Sequence, residues 1–254
     1  MATYETGNIT NVGNLELLIS TCTGYGATYN PSKVSIKLPA LNTLLTNSQA
    51  ANALVLDKLN LYSIAVDGME ILFDPFNPLT TRILAALKCS EVTKEFVTDA
   101  KSIIRKLTGK RASPKTQAAS TTPTEITVEN SDSVPSAGPK EISSSQLSVN
   151  NRIANFSRLI NLLTSEPGYN PNETELKLTT LNAMLASMKT KNTALINTTT
   201  TLKNARINRD KVLYKDGTGL YDITVAVKAY VKSVFGATSP EYKFIVKIVF
   251  TKPR

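Results

Sequence analysis

The chain contains an internal duplication, and this feature restricts its fold more than any other. The segment Tyr29-Asn30-Pro31 recurs as Tyr169-Asn170-Pro171, and the leucine pattern that follows it recurs with the same displacement of 140 positions. Upstream, the apolar pattern that starts at Val12 recurs at Ile153, displaced by 141. A repeat of this length indicates two copies of one structural module, so one fold has to accommodate both sequences.

Both copies show the periodicity of helices. In the first helix, which we predict over Asn11–Thr23 in the first copy, apolar residues recur at i, i+3 and i+7. The residues of this pattern are Val12, Leu15, Leu18, Ile19 and Cys22 in the first copy and Ile153, Phe156, Leu159, Ile160 and Leu163 in the second. The predicted fold class is all-α, with two tandem up-and-down bundles of three to four helices.

The predicted domains follow the two copies. Residues 1–111 form the first bundle and residues 149–254 form the second. Residues 112–148 are rich in Ser, Thr, Pro and Ala and almost lack large apolar residues. Such a composition cannot bury enough apolar surface to become ordered, so we predict a flexible linker.

Each copy has two further apolar segments after the first helix. The second segment contains Leu38, Leu41 and Leu45 in the first copy and Leu178, Leu181 and Leu185 in the second, and the third segment runs from Leu54 to Phe73 and from Leu195 to Tyr214. A slip of one residue in the repeat lies between the second and the third segment. Leu45 matches Leu185 at a displacement of 140, whereas Leu54 matches Leu195 at 141. We interpret this slip as a helix break near Asn52 and Thr193, because single-residue insertions are tolerated best in loops. The alternative is one continuous helix of roughly 60 Å, at about 1.5 Å per residue.

The recurring Tyr-Asn-Pro segment resembles a helix start. Asn30 and Asn170 would cap the second helix, with proline at its first position. Tyr29 and Tyr169 would then pack beside the cap with the ring partly buried and the hydroxyl in water. The recurring Asn42 and Asn182 would either hold the helix register by a buried hydrogen bond or face solvent.

The net charge of +9 lies entirely in the second copy. Residues 1–108 hold nine basic and nine acidic residues, residues 109–148 hold four of each, and residues 149–254 hold sixteen and seven. The basic residues that form the candidate surface for a polyanion or protein partner are Arg152, Arg158, Lys203, Arg206, Arg209 and Lys211. The alternative is a solvated helix face with pairs such as Arg206–Asp210.

The composition argues against most catalytic chemistry. The chain has no histidine and no tryptophan, which removes the commonest general base, the Ser-His and Cys-His pairs and imidazole metal ligands. Its two cysteines, Cys22 and Cys89, fit buried thiols better than a disulfide scaffold or a zinc site. Asp216-Gly-Thr-Gly219 fits a turn before a helix better than a phosphate loop. We therefore expect no enzyme activity, no catalytic residue, no cofactor, no metal and no small-molecule ligand.

No apolar run approaches the length of a membrane span. The N-terminal residues also lack the basic and apolar regions of a secretory signal. We therefore expect a cytoplasmic protein, with the cell surface reached by another route as the alternative.

The second copy resembles a group of uncharacterised bacterial proteins, common in Bacteroidetes-type bacteria, to which no function is assigned. The resemblance rests on KNARINRDKVLY from Lys203 to Tyr214, on VKAYVKSVFGATSPEYK from Val227 to Lys243, and on YNPNE at Tyr169. It covers most of residues 150–254 and, more weakly, residues 11–111. It implies a two-copy, mainly helical layout in a bacterial cytoplasm or at a bacterial surface.

The sequence leaves three functional hypotheses. The first is a structural or scaffolding protein that binds itself or another protein through its duplicated bundles, with filaments as one outcome. The second is nucleic-acid binding by the basic second copy. The third is an enzyme that uses carboxylate, lysine or tyrosine side chains.

Overall fold

The computed structural model describes residues 3–109 and 147–252. These residues form helices joined by short turns, without a β-strand in the described ranges, so the all-α prediction is confirmed. The helices are α1 (Thr3–Gly24), α2 (Leu38–Phe73), α3 (Phe76–Lys88), α4 (Lys94–Thr108), α5 (Val149–Thr164), α6 (Leu178–Tyr214), α7 (Leu220–Phe235) and α8 (Pro240–Val246). The linker predicted over residues 112–148 lies almost wholly outside the described residues; Ser148 at its end caps α5.

The second and third apolar segments of each copy form one continuous helix, so the break predicted near Asn52 and Thr193 is wrong. Helix α2 has 36 residues and α6 has 37. The threonine run in α6 remains helical, and its hydroxyl groups bond to carbonyls three or four residues back. Thr199, for example, donates to the Leu195 carbonyl at 2.7 Å, which is a known accommodation of threonine in helices.

The chain folds into two units, and neither unit corresponds to one copy of the repeat. Unit 1 comprises Met1–Asp67 and Ala194–Arg254, and unit 2 comprises Gly68–Thr193. The prediction of one bundle over residues 1–111 and another over 149–254 is therefore wrong. The division falls within α2 and α6, so the beginning and the end of each copy belong to different units.

Unit 1 is built from the two ends of the chain. We call residues 1–67 the N-terminal arm and residues 194–254 the C-terminal arm. The core of the unit takes Leu15, Leu18 and Leu41 from the first arm and Val227 and Ile245 from the second. The start of α2 shares this core with the end of α6, while the middle of α2 packs near Leu202. The two helices are therefore antiparallel within the unit.

Unit 2 is built in the same way from the middle of the chain. Its core combines α3 and α4 of the first copy with α5 and the start of α6 of the second. Phe76 and Phe156 are both fully buried, and their ring centroids lie 4.9 Å apart at an interplanar angle of 61°. This aromatic contact joins the two copies at the centre of the unit.

The repeated helices bury the same positions, as the periodicity predicted. All five apolar positions of α1 and all five of α5 are buried. Helix α3 buries Phe76, Leu79, Thr80, Ile83 and Leu87, and α7 buries Leu220, Ile223, Thr224, Val227 and Val231, with the same spacing. The side-chain interior of the ancestral module is thus preserved in both copies, although each unit assembles it from different copies.

The segment after each first helix differs from the prediction. Asn30 and Asn170 do not cap a helix, because α2 and α6 begin later, after short 3-10 turns at Val34–Ile36 and Thr174–Leu176. The hydroxyl groups of Tyr29 and Tyr169 are buried and not in water. Each donates to the carbonyl seven residues ahead, at 2.7 Å to Ile36 and 2.9 Å to Leu176. The tyrosine therefore braces the turn that precedes the long helix.

Several smaller predictions can also be compared with the structure. Asn42 and Asn182 are exposed and donate to carbonyls of their own helices, as the solvent-facing alternative required. Cys22 is buried, whereas Cys89 is exposed, so the prediction of two buried thiols is half right. Helix α7 ends before Gly236, which has φ +86°. Residues 215–219 form a turn in which the Gly217 N–H donates to Asp222 at 2.6 Å.

Candidate functional site

The six basic residues of the predicted surface fall in both units. Arg152 and Arg158 lie on α5 in unit 2, while Lys203, Arg206, Arg209 and Lys211 lie on α6 in unit 1. Arg158, Lys203 and Lys211 are exposed. The other three arginines are occupied within the fold, and their contacts define the most distinctive polar site of the described residues.

Arg206 and Arg209 bind one carboxylate from the opposite end of the chain. Arg206 Nε donates to Glu5 Oε1 at 2.9 Å, and Arg209 Nη1 donates to Glu5 Oε2. The Arg209 side chain is only 5% exposed and that of Glu5 is 15% exposed. We call these three residues the Glu5 cluster. An ion pair this poorly exposed to solvent needs every partner, because one buried charge left alone is costly.

The predicted pair between Arg206 and Asp210 is not formed. Asp210 instead accepts from Arg209, at 3.0 Å from Nε and 2.8 Å from Nη2. Arg209 thus has a carboxylate on either side, one from each arm. Its planar guanidinium, with donors on both edges, suits this bridging position better than a lysine would.

A hydrogen-bond network adjoins the Glu5 cluster and joins three segments. Asn11 Nδ2 donates to the Tyr214 hydroxyl at 3.0 Å and to the Thr251 carbonyl at 2.7 Å, and the Thr251 N–H returns a bond to Asn11 Oδ1 at 3.0 Å. The Tyr214 hydroxyl donates to Asn8 Oδ1 at 2.5 Å. We call Asn8, Asn11, Tyr214 and Thr251 the Tyr214 network. It ties α1 to the end of α6 and to the C-terminal tail.

Burial gives this network its energetic weight. Asn8 and Asn11 are 3% and 1% exposed, and burial raises the pKa of Tyr214, although the Asn11 bond and the charge of Arg209 oppose the rise. Burying an amide group destabilises the fold unless its donors and acceptors are paired. Removing the Tyr214 hydroxyl would therefore cost Asn8 and Asn11 one buried hydrogen bond each.

Arg152 has a different environment in unit 2. Its guanidinium carbon lies 3.6 Å from the centroid of the Phe73 ring and 5.4 Å from that of Phe76, which is cation–π geometry. Its Nε is buried without a hydrogen-bond partner among the described residues, and burial lowers its pKa. Arg152 therefore packs within the fold and is not a free surface charge.

Glu5, Asn8, Asn11 and Tyr214 are not among the site residues predicted from the sequence. A signal was present, since Asn8 and Asn11 continue the stripe of Leu15, Leu18 and Cys22 towards the N-terminus. An amide in such a stripe predicts a buried hydrogen bond. Its partner could not be read from the chain, because Tyr214 is 203 positions from Asn11.

Comparison with protein-family models, with curated proteins and with solved structures finds no match to this chain. In the described residues, no group of three or more cysteine, aspartate or glutamate side chains could hold a metal ion. No described helix is long and apolar enough to cross a membrane. The class of protein has to be inferred from the packing of unit 1.

Proposed function

We propose that the protein is a non-enzymatic structural protein that assembles by pairing the N-terminal arm of one molecule with the C-terminal arm of another molecule. The observation that carries this proposal is the composition of unit 1, whose core is formed by the two ends of the chain. Each arm supplies one side of the core and one side of the Glu5 cluster. The same surfaces can therefore join within one chain or between two chains, as in domain swapping.

An arm without its partner would expose a large apolar surface. Leu15 and Leu18 on one arm and Leu220 and Val227 on the other are each fully buried in the closed unit. Burying a side chain of this size stabilises by about 1.5–3 kcal/mol. Arms that separate, or that have not yet closed during folding, are thus driven to pair with whichever complementary arm is nearest.

Pairing between molecules would be head-to-tail. The two arms have different surfaces, so a molecule whose N-terminal arm is bound to one neighbour still has a C-terminal arm that can bind another. Such a heterologous contact produces a ring if it closes and a filament if it does not. In this mechanism the duplication supplies two arms that bind each other. The absence of histidine from the chain agrees with a role that is not catalytic.

Light scattering after size-exclusion chromatography tests the proposal. The protein is unfolded in denaturant and refolded at low and at high concentration, so that the arms can choose their partners. We expect oligomers that increase with the refolding concentration and are retained on dilution. A single monomeric species at every refolding concentration would refute arm exchange.

A closed variant provides the matched control. A Cβ added at Gly7 would lie 3.9 Å from Thr251 Oγ1, the atom that a cysteine sulfur would replace at that position. Gly7→Cys with Thr251→Cys and Cys89→Ser, oxidised at low concentration, should link the arms within one chain. We expect this form to stay monomeric at high concentration and to regain assembly after reduction and refolding.

A polyanion-binding function is the second candidate, favoured by the charge of the C-terminal arm. Residues 194–254 hold eleven basic and four acidic residues, and Lys203 and Lys211 are exposed on α6. It ranks second because Arg206 and Arg209 are bound to Glu5. Titration of labelled single-stranded DNA at low salt tests it: Lys203→Glu with Lys211→Glu should weaken binding, and Lys88→Glu, an exposed lysine of the other unit, should not. Binding that is absent, or insensitive to salt, would exclude this function.

A further inference from the structure

The two copies differ at the positions that join the arms. With the displacement of 141 that relates α1 to α5 and the end of α2 to the end of α6, five of the seven residues of the unit 1 site have counterparts among the described residues. Asn8 and Asn11 correspond to Val149 and Arg152, while Arg206, Arg209 and Tyr214 correspond to Ala65, Gly68 and Phe73. The apolar core positions of the same helices keep their character in both copies. At these five positions, therefore, the chemical character of the side chain differs between the two copies.

Pairing of α1 with the end of α2 from its own copy would remove contacts that its polar residues make in unit 1. Glu5 would face Ala65 and Gly68 in place of two guanidinium groups, and Asn8 and Asn11 would face Phe73, which has no hydroxyl. A carboxylate would then be buried without its cationic partners, and each amide would lose the bond that it makes to the Tyr214 hydroxyl. The N-terminal arm thus has a chemical reason to reject residues 68–109.

The reverse mismatch is also unfavourable. If α5 packed on the C-terminal arm, Arg152 would take the place of Asn11 beside Tyr214. The charge of Arg209 opposes the rise that burial causes in the pKa of Tyr214, so a second guanidinium group beside that hydroxyl would be repelled by Arg209. Val149 would cover the hydroxyl that Asn8 now accepts from. In the observed pairing, Arg152 lies on the ring of Phe73 instead.

In unit 2, an arginine at the position equivalent to Arg209 is disfavoured by charge and not by space. A Cβ at Gly68 would lie 3.2 Å from Lys191 Nζ. A longer basic side chain there would meet the lysine ammonium group and not a carboxylate. Each unit therefore carries groups that suit its own partner and groups that oppose the other one, which is how specific interfaces distinguish related partners.

We infer that the Glu5 cluster and the Tyr214 network together form the pairing determinant of this fold, meaning the contacts that decide which arm the N-terminal arm binds. They select the C-terminal arm as its partner, either from the same chain or from a second molecule. This inference goes beyond the proposed assembly, since it holds for a monomer as well. It also assigns a role to the charge of Arg206 and Arg209, which is recognition of Glu5 across the repeat boundary.

Charge exchange between Glu5 and Arg209 tests the inference in the full chain. The reporter is the rate of disulfide formation between Gly7→Cys and Thr251→Cys in a Cys89→Ser background, measured on dilute protein whose helix content is checked by circular dichroism. Glu5→Arg should slow cross-linking about tenfold or more, since it buries like charges. Arg209→Glu should do the same, and the two changes together should restore part of the rate, since Arg206 and Asp210 keep their charges beside the exchanged pair. Glu16→Arg, at an exposed position of the same helix, is the matched control and should have no effect.

The inference is overturned if Glu5→Arg cross-links as fast as Glu16→Arg, or if the combined variant remains as slow as the single ones. A merely local role in helix stability would not produce the rescue, because Glu5 and Arg209 are 204 positions apart.

A mixing experiment separates this inference from the proposed assembly. One protein carries Glu5→Arg and Gly7→Cys, and the other carries Arg209→Glu and Thr251→Cys, both with Cys89→Ser. Each has mismatched arms by itself, whereas the reversed arms of the two proteins match. Refolding them together at high concentration should yield a cross-linked heterodimer that neither protein gives alone. If the variant with both charge changes regains cross-linking but no heterodimer forms, the pairing determinant stands and the proposed assembly is refuted. If that variant does not regain cross-linking, the pairing determinant is refuted whether or not the protein assembles.

Discussion

The contact between Phe76 and Phe156 provides the most direct test that the two copies of the repeat share one core. Phe76 belongs to the first copy and Phe156 to the second. Their rings are 4.9 Å apart and neither is exposed. Replacing each with leucine keeps the position apolar but removes the ring contact. We expect each single change to reduce the free energy of unfolding by about 0.5–3 kcal/mol.

The informative quantity is the coupling between the two changes. Aromatic pairs at this distance contribute about 0.5–1.5 kcal/mol beyond the area that they bury. The double variant should therefore lose about 1 kcal/mol less than the sum of the single variants. This exceeds the deviation of about 0.3–0.5 kcal/mol that independent sites show. Urea denaturation followed by circular dichroism measures it, provided that the dependence on urea is the same for all four proteins.

A second cycle serves as the control. Phe156→Leu is combined with Val227→Ala, a buried position in the same copy of the repeat but in the core of unit 1. If each copy folded into its own bundle, these two side chains would share a core and couple. We expect their effects to add. Coupling between Phe156 and Val227, together with none between Phe156 and Phe76, would refute the exchange of segments between the copies.

Four further outcomes follow from individual contacts. Arg152→Lys should lower the free energy of unfolding by about 0.5–2 kcal/mol, since an ammonium group cannot stack flat on Phe73; Arg158→Lys, at an exposed position, should not, and equal effects of the two would contradict this role. Tyr29→Phe and Tyr169→Phe should each cost about 1–3 kcal/mol in thermal or urea unfolding, because a buried carbonyl loses its donor, and a loss below experimental error would show that the hydroxyl is dispensable. Burial raises the pKa of Tyr169 to about 12, above the value near 10 of an unfolded tyrosine. The contribution of the neutral Tyr169 side chain to stability is complete below pH 10 and is lost as the pH rises towards 12. In urea titrations at fixed pH, Tyr169→Phe should therefore lose less stability than the parent between pH 10 and pH 12. Burial also raises the pKa of the Cys22 thiol to about 11, so Ellman's reagent at pH 8 should react quickly with Cys89 alone, and the Cys89→Ser protein should react only after unfolding.

The periodicity of the sequence predicted the helices and their buried faces because those properties are local. The stripe from Val12 to Cys22 and its counterpart from Ile153 to Leu163 needed only the period of a helix to be recognised. The boundaries were less accurate: α1 begins at Thr3, eight positions before the predicted Asn11. The inserted residue predicts a loop between Leu45 and Leu54, but this part of the chain is helical.

The candidate site was predicted only in part. The excess of basic residues in the second copy pointed to Arg206 and Arg209, and both belong to the site. Their partner Glu5 stood in a copy that is neutral overall and gave no sign of its role. Tyr29 and Tyr169 were recognised as recurring residues, but their hydroxyl partners depend on the path of the following turn.

The sequence by itself determined that the chain is helical, that it contains one module twice, and which residues of each helix are buried. These properties follow from side-chain polarity and from the period of the backbone, and both can be read along the chain. The tertiary structure alone decided which copy supplies each half of a core. That choice depends on the continuity of two long helices and on a few polar contacts between residues some two hundred positions apart, and apolar stripes that are alike in both copies cannot distinguish one partner from the other.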